Sequence, residues 1–242
     1  MSLVALAVVL LVSVAAADPA LIARVEPAAT RYHEDPKALD RLYQDLTRAA
    51  EGEPRVAVLV ALARIAFVWG DVRATSAEQK LQAYGRGRWA AQRAVELDAK
   101  SAGAHFWYAT NTARWGQVKG IVRSLFLLPE VRRGIDTVLE LDPTFAAVYA
   151  LAGNVYYEVP GLFGGDLAKA ETMFRKGLEL DPHFTAMRVG LGKTLIRRGR
   201  VAEARRELER VLADPAPTNR ANFTVQDAPE ARRVLESIRE KS

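Results

Sequence analysis

One arrangement of small and large apolar residues recurs four times along the chain, and it constrains the fold more than any other feature. Its clearest copy runs from Tyr149 to Pro182, YALAGNVYYEVPGLFGGDLAKAETMFRKGLELDP. Tyr149, Ala152, Gly153 and Tyr156 stand three and four residues apart, and so do Ala170 and Phe174 further on. Such spacing gathers each set on one face of a helix. Gly153 and Ala170 are small enough for two antiparallel helices to approach closely, the aromatics fill the volume between them, and Pro182 opens the next unit.

The other copies are weaker. Downstream, Arg188, Leu191, Gly192 and Leu195 lead to Ala204 and Leu208. Upstream, His105, Tyr108, Ala109 and Thr112 lead to Val131, Ile135 and Pro143, and earlier still Leu59, Leu62, Ala63 and Ala66 lead to Gly87, Ala91 and Ala99. The phrases VELDA, LELDP, LELDP and LADP close the four units. Aromatic, apolar–glycine, aromatic, then Ala-x-x-x-Phe and a closing proline resembles the tetratricopeptide repeat (TPR) signature, with Ala152 where leucine is usual. That resemblance implies an all-α, TPR-like helical-hairpin solenoid of about four repeats. The first-helix positions Leu59, His105, Tyr149 and Arg188 are 46, 44 and 39 residues apart, against about 34 for a regular repeat. Insertions therefore fall between the paired helices, around GDVRATSAEQK, around KGIVRSLFLLPE and at PGLFGG, all at the same joint of the unit. A polar stretch after Pro215 precedes a last amphipathic helix over 229–241, which reads as the cap that the open face of a final repeat requires.

Asp35-Pro36 marks a helix start, and Leu39, Leu42, Tyr43 and Leu46 give that helix one apolar face. Residues 36–242 are expected to form a single domain, with 18–35 as a lead-in. Before it, Leu3 to Ala17 is an almost unbroken apolar run ending in three alanines. At about fifteen residues it is short for a membrane span, which needs roughly twenty, and residues 1–17 read as a secretory signal although no Lys or Arg precedes the apolar run. The expected location is periplasmic or otherwise exported. Absence of cysteine excludes disulfides, thiolate metal sites, a cysteine nucleophile and lipid anchoring through cysteine. The net charge of +5 is spread with acids interleaved, the habit of solvated helix faces and not of a nucleic-acid track.

Catalysis finds no support in the residues. His33, His105 and His183 fall in three separate segments without ligand spacing, no serine lies in a nucleophile motif, and GLFGGD lacks the strand context of a dinucleotide fingerprint. No enzyme, metal or cofactor is expected. Binding fares better. In a TPR array the first helix of each pair lines the concave face, and the positions opposite the packing residues are Arg64 and Phe67, Phe106, Thr110 and Arg114, Asn154 and Tyr157, and Lys193 and Arg197. Cations, an amide and aromatics suit a partner or ligand that carries carboxylates beside apolar surface. Leu162 and Phe163, between Pro160-Gly161 and Gly164-Gly165, either tuck back onto the array or contact a partner.

Longer runs carry a second resemblance. HFWYATNTARWGQVKGIVRSLFLLPEVRRGIDTVLELDP followed by YYEVPGLFGGDLAKA, with the Trp115-Gly116 turn, Leu128-Pro129 and the double glycine, is similar to the TPR-type T component associated with TRAP transporters. NFTVQDAPEARRVLESI has the same look. The resemblance implies an exported helical protein that partners a solute-binding protein, with a homo-oligomer and a carboxylate or apolar small ligand as further expectations. A general TPR adaptor for envelope assembly, or a small-molecule carrier with a ligand cavity, is the alternative.

Overall fold

The computed structural model describes residues 19–239; the expected signal at 1–17 lies outside them. Every regular element among the described residues is helical. They divide into two compact units, the boundary falling between Asn111 and Thr112.

The first unit holds α1 (Val25–Thr30), α2 (Pro36–Gly52), α3 (Val56–Val72), α4 (Ala77–Leu97) and the opening turns of α5 (Ala102–Lys119). The Asp35 carboxylate accepts the Ala38 N–H at 3.0 Å and Pro36 supplies a preset first turn. Leu39, Leu42, Leu46 and Ala50 form the buried stripe of α2. α3 is apolar almost all round because helices pack on both its sides. The α3–α4 hairpin closes tightly: the Tyr84 ring lies where a Cβ on Gly70 would stand, 2.6 Å away, and its hydroxyl donates to Asp71. The lead-in contains α1. It buries Val25, Ala28 and Ala29 and packs on α2 and α3.

The second unit contains the rest of α5, α6 (Ile121–Leu141), α7 (Ala146–Glu158), a 3-10 turn at Gly161–Phe163, α8 (Leu167–Leu180), α9 (Thr185–Arg197) and α10 (Val201–Leu212). A π-helical turn at Phe223–Asp227 then leads into α11 (Ala228–Arg239). The repeat logic holds in atomic detail. Phe174 fills the space left by Gly153, and Leu208 does the same at Gly192. Ala170, Phe174, Met187, Leu191, Leu195 and Ala204 make one core. Ala231 and Val234 of α11 cover Val189, Leu208 and Val211, so the last helix is the expected cap.

The extra residues at the repeat joints are mostly not loops. Those of GDVRATSAEQK lengthen α3 and α4, leaving four residues between them, and those of KGIVRSLFLLPE form the first turns of α6, with Gly120 alone separating it from α5. Gly120 takes φ 103°, a conformation only glycine adopts cheaply. Pro129 sits inside α6. Of the three, PGLFGG alone lies wholly outside an α-helix.

Each repeat ends in the same small device. The carboxylates of Asp98, Asp142, Asp181 and Asp214 accept the backbone N–H two residues on, at 2.9–3.0 Å. These are Asx turns, and they explain why the phrase LELDP recurs: the aspartate stops one helix and aims the chain into the next.

Candidate partner-binding face

The residues expected to face a partner fall in both units, and the structure treats them differently. In the first unit Arg64 is half-buried and pairs with Glu26 of α1 at 2.6 Å. Phe67 packs against the rings of Tyr84 and Trp107, with centroids 6.3 and 5.5 Å away. Phe106 and Thr110 are buried and offer no surface. Phe106 meets the Trp107 ring edge-on, and the Thr110 hydroxyl donates to the Phe106 carbonyl at 2.8 Å. The physical reason is that α5 buries Ala104, Phe106, Ala109, Thr110 and Asn111 together, so it has packing on more than the one face that the repeat pattern marks. An open depression lined by Tyr43, Gln82, Arg86 and Trp89 includes none of the expected residues.

In the second unit the expected residues do converge. Asn154 and Tyr157 lie one turn apart on α7, and Lys193 and Arg197 one turn apart on α9. The Arg197 guanidinium sits 4.7 Å from the Tyr157 ring centroid and its Nη1 donates to the Tyr157 carbonyl at 2.7 Å. Lys193 Nζ is 5.7 Å from the same centroid. Cations over a tyrosine face are held by the ring quadrupole while keeping most of their donors outward. Lys193 also reaches Glu230 of the cap at 3.6 Å. Burial of Glu230 favours its neutral form, but the hydrogen bond from Arg233 and the charge of Lys193 outweigh it and hold the carboxyl below its ordinary value. Arg197 differs, because no carboxylate stands within ion-pair distance of it among the described residues. Asn154 is exposed.

Beside this group, Arg114 Nη1 donates to Gln117 Oε1 at 3.2 Å, and Gln117 Nε2 donates to Glu158 at 2.9 Å. Arg114, Asn154, Tyr157, Lys193 and Arg197 thus share one polar–aromatic face of α5, α7 and α9. Leu162 and Phe163 stand outside that face, exposed on the 3-10 turn. Arg132 fixes the turn by donating to the carbonyls of Phe163 and Gly164, each at 3.0 Å.

Asn111 is a residue that the sequence reading missed. It is buried, its Nδ2 donates to the Ala63 and Trp107 carbonyls, and its amide fills the space where a Cβ on Gly87 would stand. Gly87 is thus the point of a close approach, to an amide and not to an apolar side chain. Among the described residues no group of His, Asp or Glu is arranged to hold a metal ion, and no described helix is long and apolar enough to cross a membrane.

Comparison with known proteins agrees with this architecture. No curated protein matches the chain. Among solved structures, TTC0263, a thermophilic TPR protein in Thermus thermophilus, superposes with a TM-score of 0.61 at 18% identity, covering 85% of this chain and 98% of that one. MamA gives a TM-score of 0.48 at 14% identity over 88% of this chain and 97% of its own, and MamA from Desulfovibrio magneticus RS-1 gives 0.49 at 14% over 80% and 94%. The first of these supports the fold alone. Residues 164–222 match the tetratricopeptide repeat family. Residues 21–163, more than half of the chain, match the family described as regulator of microtubule dynamics protein 1-3, and the chain belongs to that family.

Proposed function

We propose that this chain is an exported, non-enzymatic TPR scaffold that holds a carboxylate-bearing segment of a partner protein against Asn154, Tyr157, Lys193 and Arg197. A TPR-type scaffold for protein interaction is what the repeat match and the TPR fold support. The observation that carries the finer reading is Arg197. Its guanidinium is oriented by the Tyr157 ring and carbonyl, yet carries no carboxylate partner among the described residues. A charge that is already positioned and desolvated on one side loses little freedom when it takes a bidentate carboxylate. Asn154 can add a donor one turn away, and the tyrosine ring covers apolar parts of the segment.

The partner we favour is the solute-binding protein of a TRAP-type carboxylate carrier, on the resemblance of 105–143 and 149–182 to the T component. A tagged full chain and its Lys193→Glu/Arg197→Glu variant should be compared in capture of that solute-binding protein. The double reversal is expected to reduce capture by at least about tenfold, as loss of charge-assisted hydrogen bonds worth about 1.5–3 kcal/mol each implies. Unchanged capture by a folded variant would dismiss the face. Failure of the wild type to bind that protein, with another acidic partner still lost on reversal, would dismiss the TRAP assignment alone.

A further inference from the structure

The second unit has an apolar edge that the partner-binding face does not use. Leu127 and Leu128 of α6 are buried, as core residues should be, but Ile121, Val122 and Phe126 just before them are 68, 80 and 74% exposed. Leu162, on the neighbouring joint, is 90% exposed and Phe163 is about half exposed. The two joints belong to one edge: Gln117, in the last turn of α5, bonds to Glu158, the last residue of α7, and Arg132 of α6 holds the 161–164 turn by two carbonyls. Solvent-facing single apolar residues need no explanation, but a cluster of five large ones at helix ends does.

The charges around this cluster say what it suits. Lys119 and Arg123 are exposed and lie over aromatic rings at the base of the cluster. Lys119 Nζ is 5.3 Å from the Trp115 centroid, and Arg123 Cζ is 5.9 Å from Trp115 and 5.7 Å from Phe126. Exposed apolar side chains beside cations that rest on aromatic rings form the arrangement of an interfacial anchor. The apolar side chains enter the acyl boundary, the half-buried indole lies at headgroup level, and the cations stay among anionic phosphates.

We infer that the edge formed by Ile121, Val122, Phe126 and Leu162, with Lys119 and Arg123, docks the protein on a bilayer surface containing anionic phospholipid. The test is flotation of the full chain with vesicles of phosphatidylcholine alone or with phosphatidylglycerol. The N-terminal apolar run is common to all variants, so differences between them report the edge. Wild type should float with the anionic vesicles. Lys119→Glu/Arg123→Glu should lower partitioning by at least about twenty-fivefold, since each basic residue near such a surface contributes about fivefold, and Val122→Ser/Phe126→Ser should lower it on both kinds of vesicle. Because the chain has no cysteine, Val122→Cys labelled with an environment-sensitive fluorophore gives a second readout, expected to shift to the blue on anionic vesicles while the same label at Asn154→Cys does not. Equal flotation of all variants, absence of wild-type flotation, or an unshifted probe at 122 would each overturn the inference.

Discussion

Gly153→Ala offers the sharpest test of how this fold is held together. A Cβ at position 153 would stand 2.6, 2.7 and 2.8 Å from three carbons of the Phe174 ring, where about 3.5–4.0 Å is comfortable. The ring would have to withdraw by about 1 Å to restore that distance. Its retreat is limited, because its ring carbons already lie 2.7–3.2 Å from where a Cβ on Gly190 of α9 would be. Phe174 is clamped between two glycines on two helices and is 1% exposed. Overpacking of this kind costs about 1–3 kcal/mol, while alanine regains about 1 kcal/mol of helix propensity. With three ring atoms in conflict and limited retreat, the net loss should be about 1–2 kcal/mol, or about 3–6 °C in Tm for a chain of this size. Gly52→Ala supplies the control, since nothing lies within 4 Å of its Cβ position at the end of α2; it should leave Tm unchanged or raise it slightly. Thermal unfolding followed by far-ultraviolet circular dichroism would measure both. In Gly153→Ala/Phe174→Leu the smaller side chain makes room, so the double variant should lose less than the sum of the single losses. A raised Tm for Gly153→Ala, or strict additivity with Phe174→Leu, would refute the clamp.

Three further outcomes follow from the same contacts. Glu171 is almost buried among Arg175, Arg198 and Arg200; burial alone would raise its pKa, but the bonds from Arg175 and Arg200 prevail and lower it. Its contribution to stability is therefore complete above the ordinary glutamate value of about 4.3 and is lost as pH falls through the lower folded value; Glu171→Gln should cost about 2 kcal/mol at pH 7 in urea unfolding, with the deficit shrinking toward pH 3. Asp227 behaves in the opposite sense: burial pushes its pKa up, opposed by the Thr185 hydroxyl at 2.7 Å. Thr185→Val should cost about 1–3 kcal/mol at pH 7 and less as pH falls through the raised Asp227 value and the carboxyl takes up its proton, a trend readable from Tm against pH. Asp142→Ala removes the acceptor for the Thr144 N–H and hydroxyl and should cost about 1 kcal/mol, whereas Asp142→Asn, which keeps an acceptor oxygen, should cost less in the same assay.

How far the molecule is legible in its sequence depends on what a residue's position must satisfy. Gly153, Ala170, Phe174, Gly192 and Leu208 are readable because one packing requirement, small against large across a hairpin, recurs at fixed spacing. The capping helix is readable for a related reason: Ala231 and Val234 fall on one face. The face of α5 is not. Its pattern marks His105, Tyr108, Ala109 and Thr112, while Phe106, Thr110 and Asn111 are buried as well, and a period of one helix cannot announce how many neighbours that helix has. Phe126-Leu127-Leu128 illustrates the same limit in three adjacent residues, the first exposed and the next two buried. Tyr157, Lys193 and Arg197 could be placed on outward positions of their helices from spacing alone, but the stacking of both cations on a single ring is a tertiary fact. Nor do the residues by themselves name the family to which 21–163 belong.

The aspartate turns have a consequence for how chains of this architecture change length. Each closes within three consecutive residues, from Asp98 to Lys100, Asp142 to Thr144, Asp181 to His183 and Asp214 to Ala216, although the last two are also tied to each other's joint, Asp181 through Thr218 and Asp214 through His183. A gene segment bounded by two such turns encodes a pair of helices whose ends carry the same local closing device. Duplication, loss or exchange at these points would preserve every turn, provided the final copy still meets a helix like α11. The aspartates are the seams at which this molecule can be recut.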